Sequence, residues 1–318
     1  MAAEVLLYVG AELGKYGFPN GHPFGPDRQD AFWKETVKQG LDKAARICAP
    51  RAASHAEIER FHSAAYVDRV DGLSELGEGS IDYGDTPAYP GVYEASATVV
   101  GAALQGLDRV MSGEVYRTFQ PIGGLHHARR DTGAGFCVFN DCGVVIDTLR
   151  EQYGVRRVAY VDIDVHHGDG LFYPYENDPE VIVADIHEDG MFLYPGTGAA
   201  AETGKGVAVG TKLNIPMQPG ATDKLFLREW ERVEEFLRRF KPEFIVFQCG
   251  ADSLAGDPLA HLQYTPAAHA HAAKRLCELA NEFAGGRIMG FGGGGYNRTN
   301  LALAWNAVLN EFIRGSER

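Results

Sequence analysis

The sequence predicts an α/β protein in which a parallel sheet is covered by helices on both faces. Short apolar runs rich in β-branched residues alternate along the chain with longer amphipathic segments. Strands that alternate with helices of this length favour parallel pairing with helical crossovers. The 318 residues are 45% hydrophobic and 23% charged, which is typical of a globular protein with a large buried core.

The individual elements follow from hydrophobic periodicity. Predicted strands cover residues 5–9, 158–165, 181–186, 244–249 and 287–291. Predicted helices cover residues 29–47, 92–111, 141–153, 223–240, 266–283 and 300–313. No internal repeat, low-complexity tract or linker divides the chain, so we expect residues 1–318 to form a single domain.

Composition narrows the classes of partner. The formal net charge of −13 argues against broad nucleic-acid binding, which requires a basic face, and is compatible with a cationic ligand. Five cysteines without a CxxC pair favour a reducing compartment. The apolar N-terminal run lacks a basic flank and is too short for a signal peptide, and no apolar run is of membrane-spanning length. We therefore expect a cytoplasmic protein with no nucleic-acid or membrane partner.

Polar, glycine-rich segments follow three of the predicted strands. They cover residues 162–170, 250–257 and 292–297. In open α/β sheets, ligands bind beyond the carboxyl ends of the strands. We therefore expect these three segments to meet at one edge of the sheet.

The first segment predicts a metal site. Side chains alternate along an extended chain, so Asp162, Asp164 and His166 are expected to point the same way. Asp164 and His166 then offer one oxygen and one nitrogen, and Asp252 in the second segment offers a third ligand. Two aspartates and one histidine with an open position form a catalytic rather than a structural zinc site. The alternative is that these side chains only cap helices or satisfy loops.

Two adjacent histidines, His126 and His127, lie on a glycine-flanked loop earlier in the chain. They could be metal ligands, a proton relay or unrelated surface rings. Because three ligands are already assigned, acid–base chemistry is preferred. A histidine in that role needs a carboxylate to set its tautomer and pKa, and Asp162 and Asp169 remain available for this.

The third segment carries four consecutive glycines before Tyr296. Glycines permit a close backbone approach, and they place one phenol at the tip of the loop. Phosphate binding is the competing interpretation, but the segment lacks the Lys-Ser/Thr pair of a P-loop and the spacing of a dinucleotide fingerprint. A hydroxyl aimed at a metal-bound carbonyl would donate to the developing oxyanion.

These segments, in this order, resemble the histone deacetylase superfamily, which also contains acetoin utilisation proteins and acetylpolyamine amidohydrolases. The resemblance begins at HPFGPDR (residues 22–28), continues through FHSAAY (61–66) and ends at GYN (295–297). It implies the three-layer arginase–deacetylase fold with a central eight-stranded parallel sheet.

The resemblance also implies roles for the residues already singled out. It makes Asp164, His166 and Asp252 the zinc ligands. It makes His127 the general base and acid, with His126 as its electrostatic partner.

Three further roles are implied in the same way. Asp169 orients His127, Asp162 orients His126, and Tyr296 polarises the substrate carbonyl. Family members also bind a structural potassium ion through backbone carbonyls near the metal segment. In this chain Asp185 stands where a serine often contributes, which leaves its contact with that ion open.

The substrate channel is implied by the resemblance alone. Phe136 and Tyr194 match the two aromatic walls of a narrow acyl-lysine channel, and Gly135 precedes the first of them. Asp85 matches an aspartate at the rim that can hold a peptide backbone or an amine. Leu259 stands where one polyamine-selective branch has glutamate, and leucine there is usual in lysine deacetylases.

Together these features predict a zinc-dependent amide hydrolase that removes acetyl or related acyl groups from lysine side chains of proteins or peptides. An acetylpolyamine amidohydrolase acting on small acetylated amines is the alternative. An arginase-like ureohydrolase is less favoured, because it needs further acidic ligands to hold two manganese ions. The sequence allows assembly into a homo-oligomer.

Overall fold

The computed structural model describes residues 5–82 and 84–316. In these ranges eight strands pair in parallel to form one sheet, in the order β2-β1-β3-β8-β7-β4-β5-β6. The α/β class and the eight-stranded parallel sheet are thereby confirmed. The strands are β1 (Val5–Tyr8), β2 (Arg46–Cys48), β3 (Arg117–Gln120), β4 (Val158–Asp162), β5 (Val181–Glu188), β6 (Lys212–Met217), β7 (Phe244–Gln248) and β8 (Ile288–Phe291).

Helices connect the strands and cover the sheet. They are α1 (Ala11–Gly14), α2 (Arg28–Lys38), α3 (His55–Ile58), α4 (Ala64–Leu76), α5 (Val92–Met111), α6 (Asp141–Tyr153), α7 (Asp169–Phe172), α8 (Asp223–Phe240), α9 (Pro266–Phe283) and α10 (Arg298–Ser316). Helices α5, α6, α8 and α9 have the predicted bounds. None of the helices in the described part of the chain combines the length and apolarity needed to cross a bilayer.

The core has two halves, one on each face of the sheet. In β4, Val158 and Tyr160 pack into one half with α4, α5 and α6, whereas Ala159 and Val161 pack into the other with α8, α9 and α10. All five residues of β4 are buried. A strand covered on both faces is apolar at successive positions, which explains the continuous apolar runs in the sequence.

Several predicted bounds differ from the observed ones by one to three residues, and two predicted elements extend too far for a specific structural reason. The helix predicted over residues 29–47 ends at Lys38, because Gly40 adopts a left-handed φ of 73° that stops it. The chain then forms the edge strand β2. The strand predicted over residues 158–165 ends at Asp162, where the backbone leaves the ladder and the Asp164 amide donates to Asp162 Oδ1 at 2.9 Å.

Three strands, β2, β3 and β6, were not predicted, and in β3 and β6 the reason is that buried polar residues disguise them. In β3, Arg117 donates to the carbonyl of Phe312 and to Asn281 Oδ1, both at 3.0 Å. In β6, the ammonium of Lys212 donates to the Val181 carbonyl at 2.6 Å. Long polar side chains are therefore accommodated within the sheet by satisfying backbone carbonyls at its margins.

Replacing Arg117 with methionine tests this view of β3. The change keeps the apolar volume but removes the hydrogen bonds that Arg117 donates to the Phe312 carbonyl and to the Asn281 amide oxygen. We expect the free energy of unfolding to fall by about 1–3 kcal/mol, measured by urea denaturation. The matched control is Arg156→Met, because the Arg156 side chain is 74% exposed, and its effect should stay within about 0.5 kcal/mol. Equal effects of the two changes would contradict the assignment.

Candidate active site

The site is formed by the loops that follow four neighbouring strands. β3, β8, β7 and β4 lie side by side in the sheet, so the loops that follow them leave its carboxyl edge together. These loops carry residues 121–137, 292–297, 249–257 and 163–170. The sequence predicted the meeting of three of them, and the histidine-bearing loop joins because β3 lies next to β8.

Asp164, His166 and Asp252 converge at this edge, with one ligand atom from each within 4.8 Å of the others. His166 Nδ1 lies 3.1 Å from Asp164 Oδ1 and 3.3 Å from Asp252 Oδ2. The buried Asp252 Oδ2 has no hydrogen-bond partner among the described residues. Two buried carboxylates this close need a cation to offset their desolvation. The donor set fits Zn²⁺, which takes carboxylate oxygen and imidazole nitrogen in sites with an open position.

Glycines allow the backbone to approach both carboxylates. A Cβ atom on Gly294 would lie 2.0 Å from Asp252 Oδ2, and one on Gly250 would lie 2.0 Å from Asp164 Oδ2. The Gly294 amide instead donates to Asp164 Oδ2 at 2.8 Å. Part of the glycine run is therefore required by the packing of its backbone against the carboxylates.

Gln248, the last residue of β7, fixes Asp164 in place. Its amide nitrogen donates to Asp164 Oδ2 at 2.8 Å and to the Gly124 carbonyl at 3.1 Å. Its amide oxygen accepts from the Gly250 backbone at 2.7 Å. One side chain thus connects the metal-type cluster, the histidine loop and the β7 loop. Sequence reasoning missed it, because a glutamine at the end of an apolar strand belongs to no motif.

Each of the two adjacent histidines has its own carboxylate. His126 Nδ1 lies 2.8 Å from Asp162 Oδ2, and His127 Nδ1 lies 2.7 Å from Asp169 Oδ1. All four side chains are buried, and the two rings are 4.1 Å apart between centroids. The pairing of histidines with aspartates is the one expected from the resemblance.

The two histidines differ in charge. Burial alone favours the neutral ring of His126, but Asp162 and Asp164 outweigh it and raise the pKa of His126 to about 9. Burial and the neighbouring charge of His126 lower the pKa of His127 to about 4, despite Asp169. His127 is therefore the neutral ring. With its Nδ1 proton donated to Asp169, its Nε2 is left as the proton acceptor.

Arg129 is a further residue that sequence reasoning missed. Its guanidinium donates to Asp169 Oδ2 at 2.8 Å, on the side opposite His127. Burial favours the neutral acid, but the hydrogen bonds from His127 and Arg129 lower the pKa of Asp169 to about 2. Asp169 thus remains an anion that can orient His127.

The Tyr296 phenol is held by its loop. The Tyr296 amide donates to Asp257 Oδ2 at 2.8 Å, and the buried Arg28 donates to the carbonyls of Gly293 and Gly295 at 2.6 and 2.9 Å. Burial and the nearby carboxylates raise the pKa of the Tyr296 hydroxyl well above its usual value. The hydroxyl therefore keeps its proton and can donate it. Arg28 belongs to the 22–28 segment of the resemblance, which was the only signal for it.

Aromatic rings flank the site. The Phe136 ring lies 5.8 Å from that of Tyr296, and the Tyr194 ring lies 5.1 Å from that of His127. Gly135 lines the cavity that the histidines face, and a Cβ atom there would lie 2.6 Å from His127 Cδ2.

Asp85 and Leu259, the other two predicted channel residues, lie farther from the histidines. Asp85 and Tyr194 line a second cavity of about 490 Å³ next to the first. Leu259 is half-buried on the loop after β7, where its amide donates to Asp257 Oδ1 at 3.0 Å. Neither cavity is lined by Leu259, so its place in a channel stays a prediction.

Known proteins are similar to this chain in sequence. Residues 22–312 match the histone deacetylase domain. The chain belongs to the histone deacetylase family. It is 35% identical over 307 residues to the acetoin utilization protein AcuC of Bacillus subtilis (strain 168), covering 94% of this chain and 78% of that protein. The corresponding protein of Staphylococcus xylosus is 33% identical, over 95% of this chain and 80% of its own length.

A solved structure agrees in fold with this chain. The crystal structure of the HDA15 HD domain superposes with a TM-score of 0.92 and 26% identity, covering 99% of this chain and 89% of that one. The arginase–deacetylase fold is thereby confirmed, and the chain is a hydrolase of the histone deacetylase family. The family is generally metal-dependent, and the cluster of Asp164, His166 and Asp252 is the candidate site.

The metal content of the purified protein tests this cluster. We expect about one divalent ion per chain, measured by elemental analysis after dialysis. Asp252→Ala should reduce it to near zero, because only one carboxylate and one imidazole remain. The control Asp30→Ala changes the same charge at an exposed position in the first turn of α2 and should leave the content unchanged. About two ions per chain would favour the ureohydrolase alternative.

Proposed function

We propose that the protein is a zinc-dependent deacetylase that hydrolyses the amide of an acetylated or otherwise acylated lysine side chain. One observation carries the proposal. A neutral imidazole, His127, and a protonated phenol, Tyr296, both lie next to the ligand cluster of Asp164, His166 and Asp252. Amide hydrolysis needs a base that accepts a proton and later returns it, together with a donor for the oxyanion.

Asp164, His166 and Asp252 would hold a zinc ion, which would supply Lewis-acid polarisation of the amide carbonyl and would lower the pKa of water. His127 Nε2 accepts a proton from that water as the water oxygen bonds to the acyl carbon. Asp169 holds the imidazolium that results. His127 then gives the proton to the amine nitrogen as the C–N bond breaks, which releases a carboxylic acid and an amine.

Tyr296 and His126 assist the reaction through electrostatic interactions. The Tyr296 hydroxyl donates a hydrogen bond to the oxyanion that develops on the acyl oxygen. His126 stays protonated between Asp162 and Asp164 and lowers the proton affinity of His127. A base with a lowered pKa readily returns its proton to the leaving amine.

The acyl-lysine substrate is supported by the aromatic rings of Phe136 and Tyr194. One ring lies beside Tyr296 and the other beside His127, and aromatic rings next to these side chains suit a slender methylene chain such as that of lysine. Small acetylated amines are the second candidate, favoured by the acidic Asp85 at the rim and by the net charge of −13. A ureohydrolase has less support, since the described residues offer a single metal-type cluster with two carboxylates.

Two further parts of the proposal concern location and a second ion. The charge and cysteine content suggest action in the cytoplasm without nucleic-acid or membrane partners. The structural potassium ion implied by the resemblance stays a prediction. Asp185 accepts from the Gly168 amide at 2.9 Å and pairs with His187 Nδ1 at 2.7 Å, so both of its oxygens already have protein partners.

Tyr296→Phe tests the oxyanion role. The change removes one hydroxyl, so we expect kcat to fall by about 10²–10³ with KM altered only slightly. Steady-state kinetics on an acetyl-lysine peptide, with the metal content checked, measure this. Tyr153→Phe, at an exposed tyrosine at the end of α6, is the control. An unchanged kcat in Tyr296→Phe would exclude a transition-state role for the phenol.

The substrate class is tested by kcat/KM for an acetyl-lysine peptide and for acetylcadaverine. We expect the acetyl-lysine peptide to be the better substrate. Its backbone can contact the rim of the site, whereas acetylcadaverine has no backbone to make such contacts. A preference of about tenfold or more for acetylcadaverine, equivalent to about 1.4 kcal/mol in transition-state binding, would instead support the small-amine alternative.

A further inference from the structure

The rim of the site holds charges of both signs. The second cavity, of about 490 Å³, is lined by Asp85, Arg129, Gly133 and Tyr194 among others, and is called the rim cavity below. Tyr194 also stands beside His127, so the rim cavity adjoins the catalytic cavity. A substrate chain that leaves the catalytic cavity past Tyr194 would bring its outer end next to Asp85 and Arg129.

Asp85 is the more exposed of the two acidic residues that line the rim cavity. Its neighbour Asp82 is used within the loop, where it accepts from the amides of Gly84 and Thr86 at 2.8 and 3.0 Å. Asp85 is exposed, and its carboxylate accepts a hydrogen bond from the Thr86 hydroxyl at 3.2 Å. Burial and Asp82 raise the pKa of Asp85 to about 6, so it is mainly ionised at neutral pH and an ammonium group would stabilise its charge.

Arg129 is the basic group. Its side chain is 50% exposed, yet one end of the guanidinium is fixed by the hydrogen bond to the buried Asp169. A guanidinium has five N–H donors in a planar fork, and this contact uses one of them. A guanidinium held in this way is oriented in advance for a carboxylate in the rim cavity.

We propose that the rim cavity binds the two α-substituents of a free Nε-acyl-lysine, with Arg129 holding the α-carboxylate and Asp85 the α-ammonium. This inference rests on the proposed deacetylase function and narrows its substrate class. A lysine chain with its acyl amide at His127 and Tyr296 places its α-carbon at the mouth. An internal peptide residue presents only neutral amides there. An acetylated polyamine presents a cation that Arg129 repels.

Three small substrates isolate the carboxylate. They are Nε-acetyl-lysine, its α-carboxamide, and acetylcadaverine, which is the same molecule without the carboxyl group. With the zinc-loaded full chain at pH 7.5, we expect kcat/KM to be about tenfold or more higher for the acid than for the carboxamide, as one charge-assisted contact provides. Acetylcadaverine should be poorer still.

Arg129→Gln separates carboxylate binding from support of Asp169. If Arg129 binds the α-carboxylate, the acid-to-carboxamide ratio should fall to within about twofold, mostly through KM. If Arg129 acts only through Asp169, kcat should fall equally for both substrates and the ratio should stay as in the parent, which would overturn the inference. Arg129→Lys should retain part of the preference because it retains the charge.

Arg156→Gln is the matched control, because it removes the same charge from an exposed position before β4, at the opposite edge of the sheet. Its ratio should equal that of the parent. Activity on acetyl-lysine peptides with no preference for the free acid overturns this inference and leaves the deacetylase proposal intact. Inactivity of the zinc-loaded protein on the three substrates and on peptides overturns both.

Discussion

The convergence of two buried carboxylates, Asp164 and Asp252, is the constraint on which the rest of the site depends. Bringing them together opposes both desolvation and mutual repulsion, so every element around them offsets that cost. Gln248 and the Gly294 amide donate to Asp164, and the Val165 amide donates to Asp252 Oδ1 at 3.1 Å. These donors come from three strand ends that are adjacent only because β4, β7 and β8 are neighbours in the sheet. The topology of the sheet is therefore a condition of the chemistry.

Nearby carboxylates also determine the protonation states of the two histidines, and so their different roles. His126 has Asp162 at hydrogen-bonding distance and Asp164 at 3.8 Å, and two anions keep it charged. His127 has only Asp169, whose charge is shared with Arg129. Two chemically identical side chains, adjacent in sequence and equally buried, thus acquire different protonation states from their partners. A residue's identity gives its possible roles, and the arrangement of nearby charges selects one.

The sequence predicted well the elements whose structure depends mainly on the burial of apolar side chains. β4, β5 and β7 are buried on both faces and apolar at successive positions, and the long helices end where their hydrophobic period ends. β3 and β6 were missed because Arg117 and Lys212 satisfy carbonyls that only the folded chain brings near. In the site, the residues on glycine-rich loops stood out, whereas Gln248, Arg28 and Arg129 did not. Their function is to hold other residues, and it becomes visible only from distances between segments remote in sequence.

The charges at the rim and the net charge of the chain favour different ligands. A net charge of −13 suggests an affinity for cations, and Asp85 agrees with it. At an ionic strength near that of the cell, however, charges more than about 8 Å away are largely screened, so the groups in contact with a ligand decide. Arg129 is one such group, and Asp169 behind it fixes its position from a buried site where screening is weak. A bound carboxylate would meet an oriented cation, whereas an ammonium ion would meet Asp85 and Arg129 together. The placement of one arginine therefore says more about the substrate than the balance of charge over the whole chain.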